Sequence, residues 1–215
     1  LYYLDNNTNN KNNPNENYAR EFLELFTILK GEQIGEGDYT TYTESDIQNA
    51  AKVFSGIKTK PLRDTLDPDT QIPMGYVNTG QHDTQDKTFS AAFNNQTISG
   101  QSSQAGVIQE IDEFVEMIFS QATTAKSYCR KLYRFFVKSE WGQDVEDDII
   151  TPLSNQLIAN DFNLLDVLST LLNSQHFYDQ DNSDNSDEII GSIVKSPLQL
   201  ISELIRILNI SLPNP

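Results

Sequence analysis

One stretch decides how this chain folds: Asn15-Glu16-Asn17-Tyr18-Ala19-Arg20-Glu21-Phe22-Leu23-Glu24-Leu25-Phe26-Thr27. Its apolar side chains recur at intervals of four, three and four residues, which is the period of one face of an α-helix. The residues of this stripe are Tyr18, Phe22, Leu25 and Leu29, with Ala19, Leu23 and Phe26 beside them. The pattern predicts a helix that buries one broad face against neighbouring helices.

The polar side of this helix carries charges at intervals of four residues, namely Glu16, Arg20 and Glu24. This spacing stacks a carboxylate, a guanidinium and a second carboxylate along one edge of the helix. Such a ladder stabilises a helix or anchors a neighbouring loop. Paired carboxylates can also share the acid and base roles of a glycoside hydrolase. Both interpretations stay open for Glu16, for the adjacent Glu21 and for Arg20.

The same stretch resembles the signature of a bacterial protein family called domain of unknown function 1800. Further segments resemble other motifs of that family in the same order along the chain. They are Leu1–Asn6 before the signature, Tyr42–Ile47 with Ala50–Gly56, His82-Asp83 with Lys87-Thr88-Phe89, and Val194–Pro197. The resemblance spans nearly all of the 215 residues. It departs from the family pattern at Leu29 and Lys30, where glycine is usual, and at Ile57, Gln85 and Ser90.

The resemblance implies where the protein acts and what surrounds it. Members of the family are typically longer than this chain, so we expect a carboxy-terminal portion against which an upstream half packs. The family points to an exported or cell-envelope protein, and the asparagine-rich opening of the chain suits that location. No activity is established for the family, so the resemblance transfers no catalytic residue.

Composition excludes several classes of function. The net charge of -16 argues against binding nucleic acid or anionic membranes, since both require clustered Lys and Arg. No apolar run approaches the ~20 residues that a membrane-spanning helix needs. The single cysteine, Cys129, cannot form an intramolecular disulfide, and two histidines are too few for a multi-histidine zinc centre. We therefore expect no metal and no cofactor.

Apolar periodicity predicts a mainly α fold: a single, multi-helix, bundle-like domain over residues 1–215. The second helix begins at a capping box with Thr43 and ends at Gly56. Later helices are expected over residues 103–120, from Thr123 or Thr124 onward, over 145–159 with Pro152 inside, over 164–172 and from Ser196-Pro197. Residues 5–14 are predicted to form an exposed loop.

Two of these helices have polar faces of opposite charge. The earlier helix shows Glu110, Asp112, Glu113 and Glu116, and the later one shows Lys126, Arg130, Lys131, Arg134 and Lys138. The plain interpretation is surface pairing worth about 0 to 1 kcal/mol per pair. The alternative is a basic stripe that binds an anionic ligand.

The helical period disappears in residues 57–100, where prolines and glycines interrupt short strand-like stretches. We predict a small β-hairpin or irregular excursion here and expect any site to lie in it, since long ordered loops are often functional. His82 and Asp83 could supply an acid or base beside Lys87, or bind one metal with help from other residues. Alternatively, they could fasten the excursion to the helices by hydrogen bonds. The candidate catalytic residues are thus His82, Asp83, Glu16 and Glu21, and the candidate ligand-binding residues are Arg20 and Lys87.

The acidic run 179–188 invites comparison with a calcium-binding loop. It lacks the glycine and the glutamate that such a loop needs at its sixth and twelfth positions, which are Asp184 and Ile190 here. We expect a solvated loop, with adventitious calcium as the alternative.

Two hypotheses for function follow. The first is a structural, scaffold or binding module for a protein or a glycan, and an exposed patch of Tyr39, Tyr42 and Tyr76 would support the glycan version. The second is a hydrolase acting on envelope or polysaccharide material through the four candidate catalytic residues. An open pocket that joins those residues favours the hydrolase, and burial in satisfied hydrogen bonds favours the module.

Overall fold

The computed structural model describes residues 4–60, 65–178 and 195–210, and it confirms a mainly α fold with two small two-stranded sheets. Contacts group the chain into two compact units, Leu1–Tyr128 and Cys129–Pro215. The predicted calcium-like run at 179–188 lies outside the described residues. The described helices include none with the length and apolar character that crossing a membrane requires.

The first unit combines three α-helices with four short strands. Its elements are α1 (Asn17–Glu21), a π-helical turn (Phe22–Phe26), α2 (Glu44–Val53), β1 (Ile57–Thr59), β2 (Gly75–Val77), β3 (Lys87–Thr88), β4 (Thr97–Ile98) and α3 (Gln104–Phe119). Short 3-10 turns cover Asn6–Thr8 and Ala91–Phe93. Helix α4 (Ala122–Phe136) begins in this unit and ends in the next.

The opening helix begins as predicted but changes its period after Glu21. Its continuation as a π-helical turn shifts the direction of the later side chains, since each turn then contains more residues than an α-helical turn. Leu23 is therefore buried, whereas Leu25 and Phe26 are 57% and 54% exposed. The predicted burial of Leu25 and Phe26 is wrong for this reason.

The core of the first unit is aromatic at its centre. Phe54 at the end of α2 packs edge-on against Phe114 of α3, with ring centroids 5.3 Å apart, and Phe22 and Phe89 pack 5.8 and 5.4 Å from Phe114. Phe22 lies in the π-helical turn and Phe114 in α3, while Phe54 and Phe89 directly follow α2 and β3. The core therefore ties the predicted excursion to the helices.

The excursion at 57–100 contains two separate antiparallel hairpins rather than one. In the first, β1 pairs with β2, and Ile57 lies opposite Val77. In the second, β3 pairs with β4, and Lys87 lies opposite Ile98. The second hairpin contacts both α2 and α3, which places Lys87 against the helices.

The asparagine-rich opening is not simply an exposed loop, as the sequence had predicted, because Asn6 and Asn9 are fully buried. The Asn6 amide donates to the main-chain oxygens at the end of α2 and the start of β1. The Asn9 amide donates to Ala51 O at 2.8 Å. The Asn9 amide thus supplies a donor to a carbonyl group in the last turn of α2, and the Asn6 amide links the end of that helix to β1.

The second unit is helical. After α4 it contains α5 (Gln143–Val145), a π-helical turn (Glu146–Ile150), α6 (Thr151–Ala159), α7 (Leu164–Leu172), α8 (Gln175–Tyr178) and α9 (Pro197–Ile207). The predicted helix around Pro152 is present without a break over 143–159, and a π-helical turn immediately precedes the segment that contains this proline. Such turns occur where the regular helical hydrogen bonding is interrupted, as it is at a residue without an N–H. Ser196 caps α9 and Pro197 opens it, as predicted.

Candidate functional site

Four chain segments bring together a buried polar cluster, which we call the His82 cluster: Ser55, His82, Lys87 and Glu110. Ser55 follows α2, His82 lies in the loop after β2, Lys87 begins β3 and Glu110 lies on α3. Each of the four residues is at most 1% exposed. The cluster therefore joins the excursion to both helices from inside the unit.

The imidazole of His82 has both ring nitrogens engaged. Nδ1 lies 2.8 Å from the main-chain oxygen of Ser55, which can only accept, so Nδ1 is a donor. Nε2 lies 3.1 Å from Oε1 of Glu110. The Ser55 hydroxyl is 3.5 Å from Nδ1 and instead donates to Lys52 O at 2.6 Å. The ring therefore keeps no free lone pair in reach of a substrate.

The carboxylate of Glu110 is the centre of the cluster. Its Oε2 accepts from Nζ of Lys87 at 2.6 Å, and its Oε1 accepts from His82 and from the main-chain N–H of Gln101. Burial alone raises the pKa of a carboxyl group. Here the hydrogen bonds from His82 and Lys87 outweigh burial and hold the pKa of Glu110 below its ordinary value. Glu110 is therefore a satisfied, ionised group.

Asp83 and Lys87 contribute to the cluster mainly through the main chain. The Asp83 N–H donates to the Ser55 hydroxyl at 2.8 Å, and the Asp83 carbonyl accepts from Lys87 Nζ at 2.6 Å. The Asp83 carboxylate turns away and accepts from Gln85 N. The carboxylate that meets His82 is thus Glu110, on a distant helix, rather than the neighbouring Asp83.

Glu110 was missed as a candidate because the sequence analysis placed it on a solvent-facing acidic surface. A signal for its burial existed. It lies three residues after Val107 and four before Phe114, so it occupies a position of the apolar stripe of α3. A charged residue within such a stripe indicates a buried partner of opposite charge.

Two of the remaining candidates, Glu16 and Arg20, belong to a second group, the Arg20 network: Glu16, Arg20, Glu24 and Glu44. Nη2 of Arg20 lies 2.6 Å from Oε1 of Glu44 and 3.4 Å from Oε2 of Glu16, and Nη1 lies 3.7 Å from Glu24. The predicted helix ladder is therefore present, and α2 adds Glu44 to it.

The pKa values of two carboxyl groups of the Arg20 network, Glu16 and Glu44, shift in opposite directions. Partial burial and the neighbouring Glu44 raise the pKa of Glu16. The hydrogen bond from Arg20 lowers the pKa of Glu44. Carboxyl groups whose pKa values move apart are typical of catalytic acid and base pairs, but ion-pair networks produce the same pattern.

The candidates do not converge on one place. Within the described residues, no hydrogen bond or ion pair links the Arg20 network to the His82 cluster, and Glu21 has no polar side-chain partner in either. The tyrosine patch is not formed either, because Tyr42 is fully buried and donates its hydroxyl to Glu24, while Tyr39 is half-buried. The described part of the chain contains no group of three or more His, Cys, Asp or Glu residues that could hold a metal.

Comparison with known proteins gives one match. A family model described as "Protein of unknown function (DUF1800)" matches residues 1–214. Neither the curated proteins nor the solved structures gave a match.

Proposed function

Because this chain belongs to the DUF1800 family of proteins of unknown function, we propose from its geometry that it is a non-catalytic structural or binding module. In this proposal the His82 cluster is an internal brace that fixes the excursion at 57–100 to the helices. The excursion and the opening helix then form a rigid support for a surface that meets a protein or a glycan.

The observation that carries this proposal is the state of the His82 imidazole. A general acid or base must reach the proton that it transfers, directly or through one water. His82 is 0% exposed and both of its ring nitrogens are bound within the chain. The same holds for Lys87, whose ammonium group is used by Glu110 and by the Asp83 carbonyl. These contacts support a structural role for residues that a hydrolase would need free.

The test compares wild type with His82→Gln and Glu16→Gln in two assays. The first assay is thermal unfolding, and the second is release of reducing ends from a panel of cell-envelope polysaccharides. We expect His82→Gln to lower the melting temperature, since the amide can replace Nε2 as a donor to Glu110 but leaves the buried Ser55 O without the Nδ1–H that it accepts. We expect no reducing ends above background from any of the three proteins.

One outcome of these assays would contradict the proposed module. If wild type releases reducing ends, and His82→Gln abolishes the release while remaining folded, the hydrolase hypothesis replaces the module. Glu16→Gln is the matched comparison because it alters a candidate catalytic carboxylate outside the brace. Its thermal unfolding should stay close to that of wild type, since exposed ion pairs contribute little to stability.

An exported or envelope location, with an upstream half of the same protein packed against this chain, is part of the proposal. It is tested by expressing the full-length gene in its native host and separating cytoplasmic, periplasmic and envelope fractions. Recovery in the cytoplasmic fraction alone would contradict the proposed location.

A further inference from the structure

The second unit contains a surface pocket whose lining includes none of the candidate catalytic residues, although its Arg134 belongs to the basic stripe of α4. It follows α4, has a volume of about 360 Å³ and is lined by Arg134, Ser139, Glu140 and Trp141. We call it the Trp141 pocket. Its four residues combine an indole, a guanidinium, a hydroxyl and a carboxylate within eight positions of the sequence. The indole supplies one flat apolar surface, and the three polar side chains supply groups that can fix the orientation of a small ligand.

The indole of Trp141 is held by a supporting layer. Its ring packs edge-on against Tyr133, with centroids 5.2 Å apart, and its Nε1 lies 3.4 Å from Oε2 of Glu146. Tyr133 is buried, and its hydroxyl lies 2.8 Å from Nε2 of His176. Arg130 in turn fixes Glu146 through Nε and Nη2. The aromatic wall of the pocket is therefore fixed before any ligand arrives.

The polar side chains around the indole are not engaged in hydrogen bonds or ion pairs with other described residues. Within the described part of the chain, Arg134, Ser139 and Glu140 make no side-chain hydrogen bond and no ion pair. The guanidinium of Arg134 lies over the Trp141 ring, 5.5 Å from its centroid. Arg130, one helical turn earlier, is by contrast fully used by Glu146. The donors and acceptors of the pocket thus remain available to a ligand.

We propose that the Trp141 pocket binds a neutral sugar ring of a polysaccharide. The C–H face of a pyranose packs against the outer face of the Arg134 guanidinium and the adjacent edge of the indole, over which that guanidinium lies. The carboxylate of Glu140 accepts from two neighbouring hydroxyl groups, and the Arg134 guanidinium and Ser139 hydroxyl donate to sugar oxygens. Each polar group of the pocket then has a partner.

The charge of the site selects a neutral sugar rather than an acidic one. Arg134 and Glu140 offset each other, so the pocket itself has no net charge. The chain as a whole carries -16 and repels anions at a distance. The neighbouring Lys131 and Lys138 have other partners within the chain. Among the residues that line the pocket, an anionic saccharide would therefore meet the Glu140 carboxylate with a single guanidinium to offset it.

This inference goes beyond the proposed function, because the Trp141 pocket belongs to the second unit and shares no residue with the surface assigned to the excursion and the opening helix. No residue of the His82 cluster takes part in it. The two ideas therefore fail separately. Hydrolysis that depends on His82 would overturn the non-catalytic module and leave the pocket untouched. Absence of sugar binding would overturn the pocket and leave the brace intact.

The experiment uses the fact that Trp141 is the only tryptophan of the chain. Its fluorescence is recorded while the protein is titrated with maltotriose, cellotriose and trigalacturonic acid. We expect a saturable change of emission with at least one of the two neutral trisaccharides. Trigalacturonic acid should bind more weakly than that neutral trisaccharide.

Two pocket variants and one control make the result specific. Glu140→Gln and Arg134→Met should each weaken binding by about tenfold, the usual effect of losing a hydrogen bond to a charged group. Glu116→Gln, an exposed position on α3, should bind like wild type. The proposal is overturned if neither neutral trisaccharide gives a saturable change, if trigalacturonic acid binds most tightly, or if both pocket variants bind like wild type.

Discussion

The ammonium nitrogen of Lys87 lies 2.6 Å from Oε2 of Glu110, and both side chains are excluded from solvent. A buried ion pair of this kind is weak evidence for stability by itself, because removing two charges from water costs several kcal/mol per ion. Removing one partner, however, strongly destabilises the fold, since the other charge is then buried without a counter-charge. The pair therefore makes the excursion and α3 depend on each other.

Glu110→Gln should lower the free energy of unfolding by about 3 to 5 kcal/mol, the range for breaking a buried pair. The amide keeps the size of the side chain but leaves the Lys87 ammonium group without its counter-charge. Urea unfolding followed by circular dichroism measures the loss. Glu116→Gln on the same helix is the control and should change stability by no more than about 0.5 kcal/mol. Equal effects of the two substitutions would contradict the burial of Glu110.

The cost of Glu110→Gln should also depend on pH. The pKa of Glu110 in the folded protein lies below its ordinary value, so its carboxylate contributes stability that is complete above the unfolded pKa. That contribution is lost as the pH falls through the folded pKa. The difference in unfolding free energy between wild type and Glu110→Gln should therefore be largest near neutral pH and shrink below about pH 4. Urea unfolding of both proteins from neutral pH into this acid range measures the difference, and a constant value would contradict the prediction.

Much of the fold was predictable because helices have a short period and clear ends. The Thr43 capping box, the Ser196 cap and the apolar stripe of α2 all depend on residues within a few positions of one another. The hairpins were predicted only as short strands, since their pairing depends on contacts outside local sequence. The π-helical turn of Phe22–Phe26 had no local signal of this kind.

The candidate site was harder to predict, because its partners lie far apart in sequence. His82 and Lys87 were correctly named as residues worth attention. The carboxylate that organises them is 28 positions from His82, so adjacency in sequence favoured Asp83 instead.

The backbone conformation of Leu29, by contrast, agrees with a signal in the sequence. Leu29 stands where the family resemblance places a glycine, and its φ of +63° is the left-handed conformation that favours glycine.

The buried asparagines of the opening segment should matter more than their exposed neighbours. Asn9→Ala removes the amide that donates to Ala51 O at 2.8 Å and the oxygen that accepts from Asn15 N at 3.1 Å. We expect a loss of about 2 to 3 kcal/mol in unfolding free energy, the cost of leaving buried polar groups unpaired. Thermal unfolding measures it. Asn12→Ala changes an exposed side chain and should leave the melting temperature unaltered.

Gly56 joins α2 to β1 at a point where no side chain fits. Its φ is +75°, and a Cβ there would lie 2.6 Å from Asn78 O and 2.9 Å from His82 N. Gly56→Ala therefore strains the backbone and pushes the His82 loop away from α2. We expect a loss of about 2 to 4 kcal/mol in unfolding free energy, from the left-handed conformation and the clash together.

The matched control is Gly35→Ala. Gly35 is exposed, and a Cβ there would meet its nearest neighbour, Asp38, at an ordinary 3.5 Å. Its effect on stability should stay within about 0.5 kcal/mol. Hydrogen exchange adds a second readout, because the Asp83 N–H bonded to the Ser55 hydroxyl should lose protection in Gly56→Ala and keep it in Gly35→Ala. Unchanged protection in Gly56→Ala would show that the loop of His82 is not held by its close approach to Gly56.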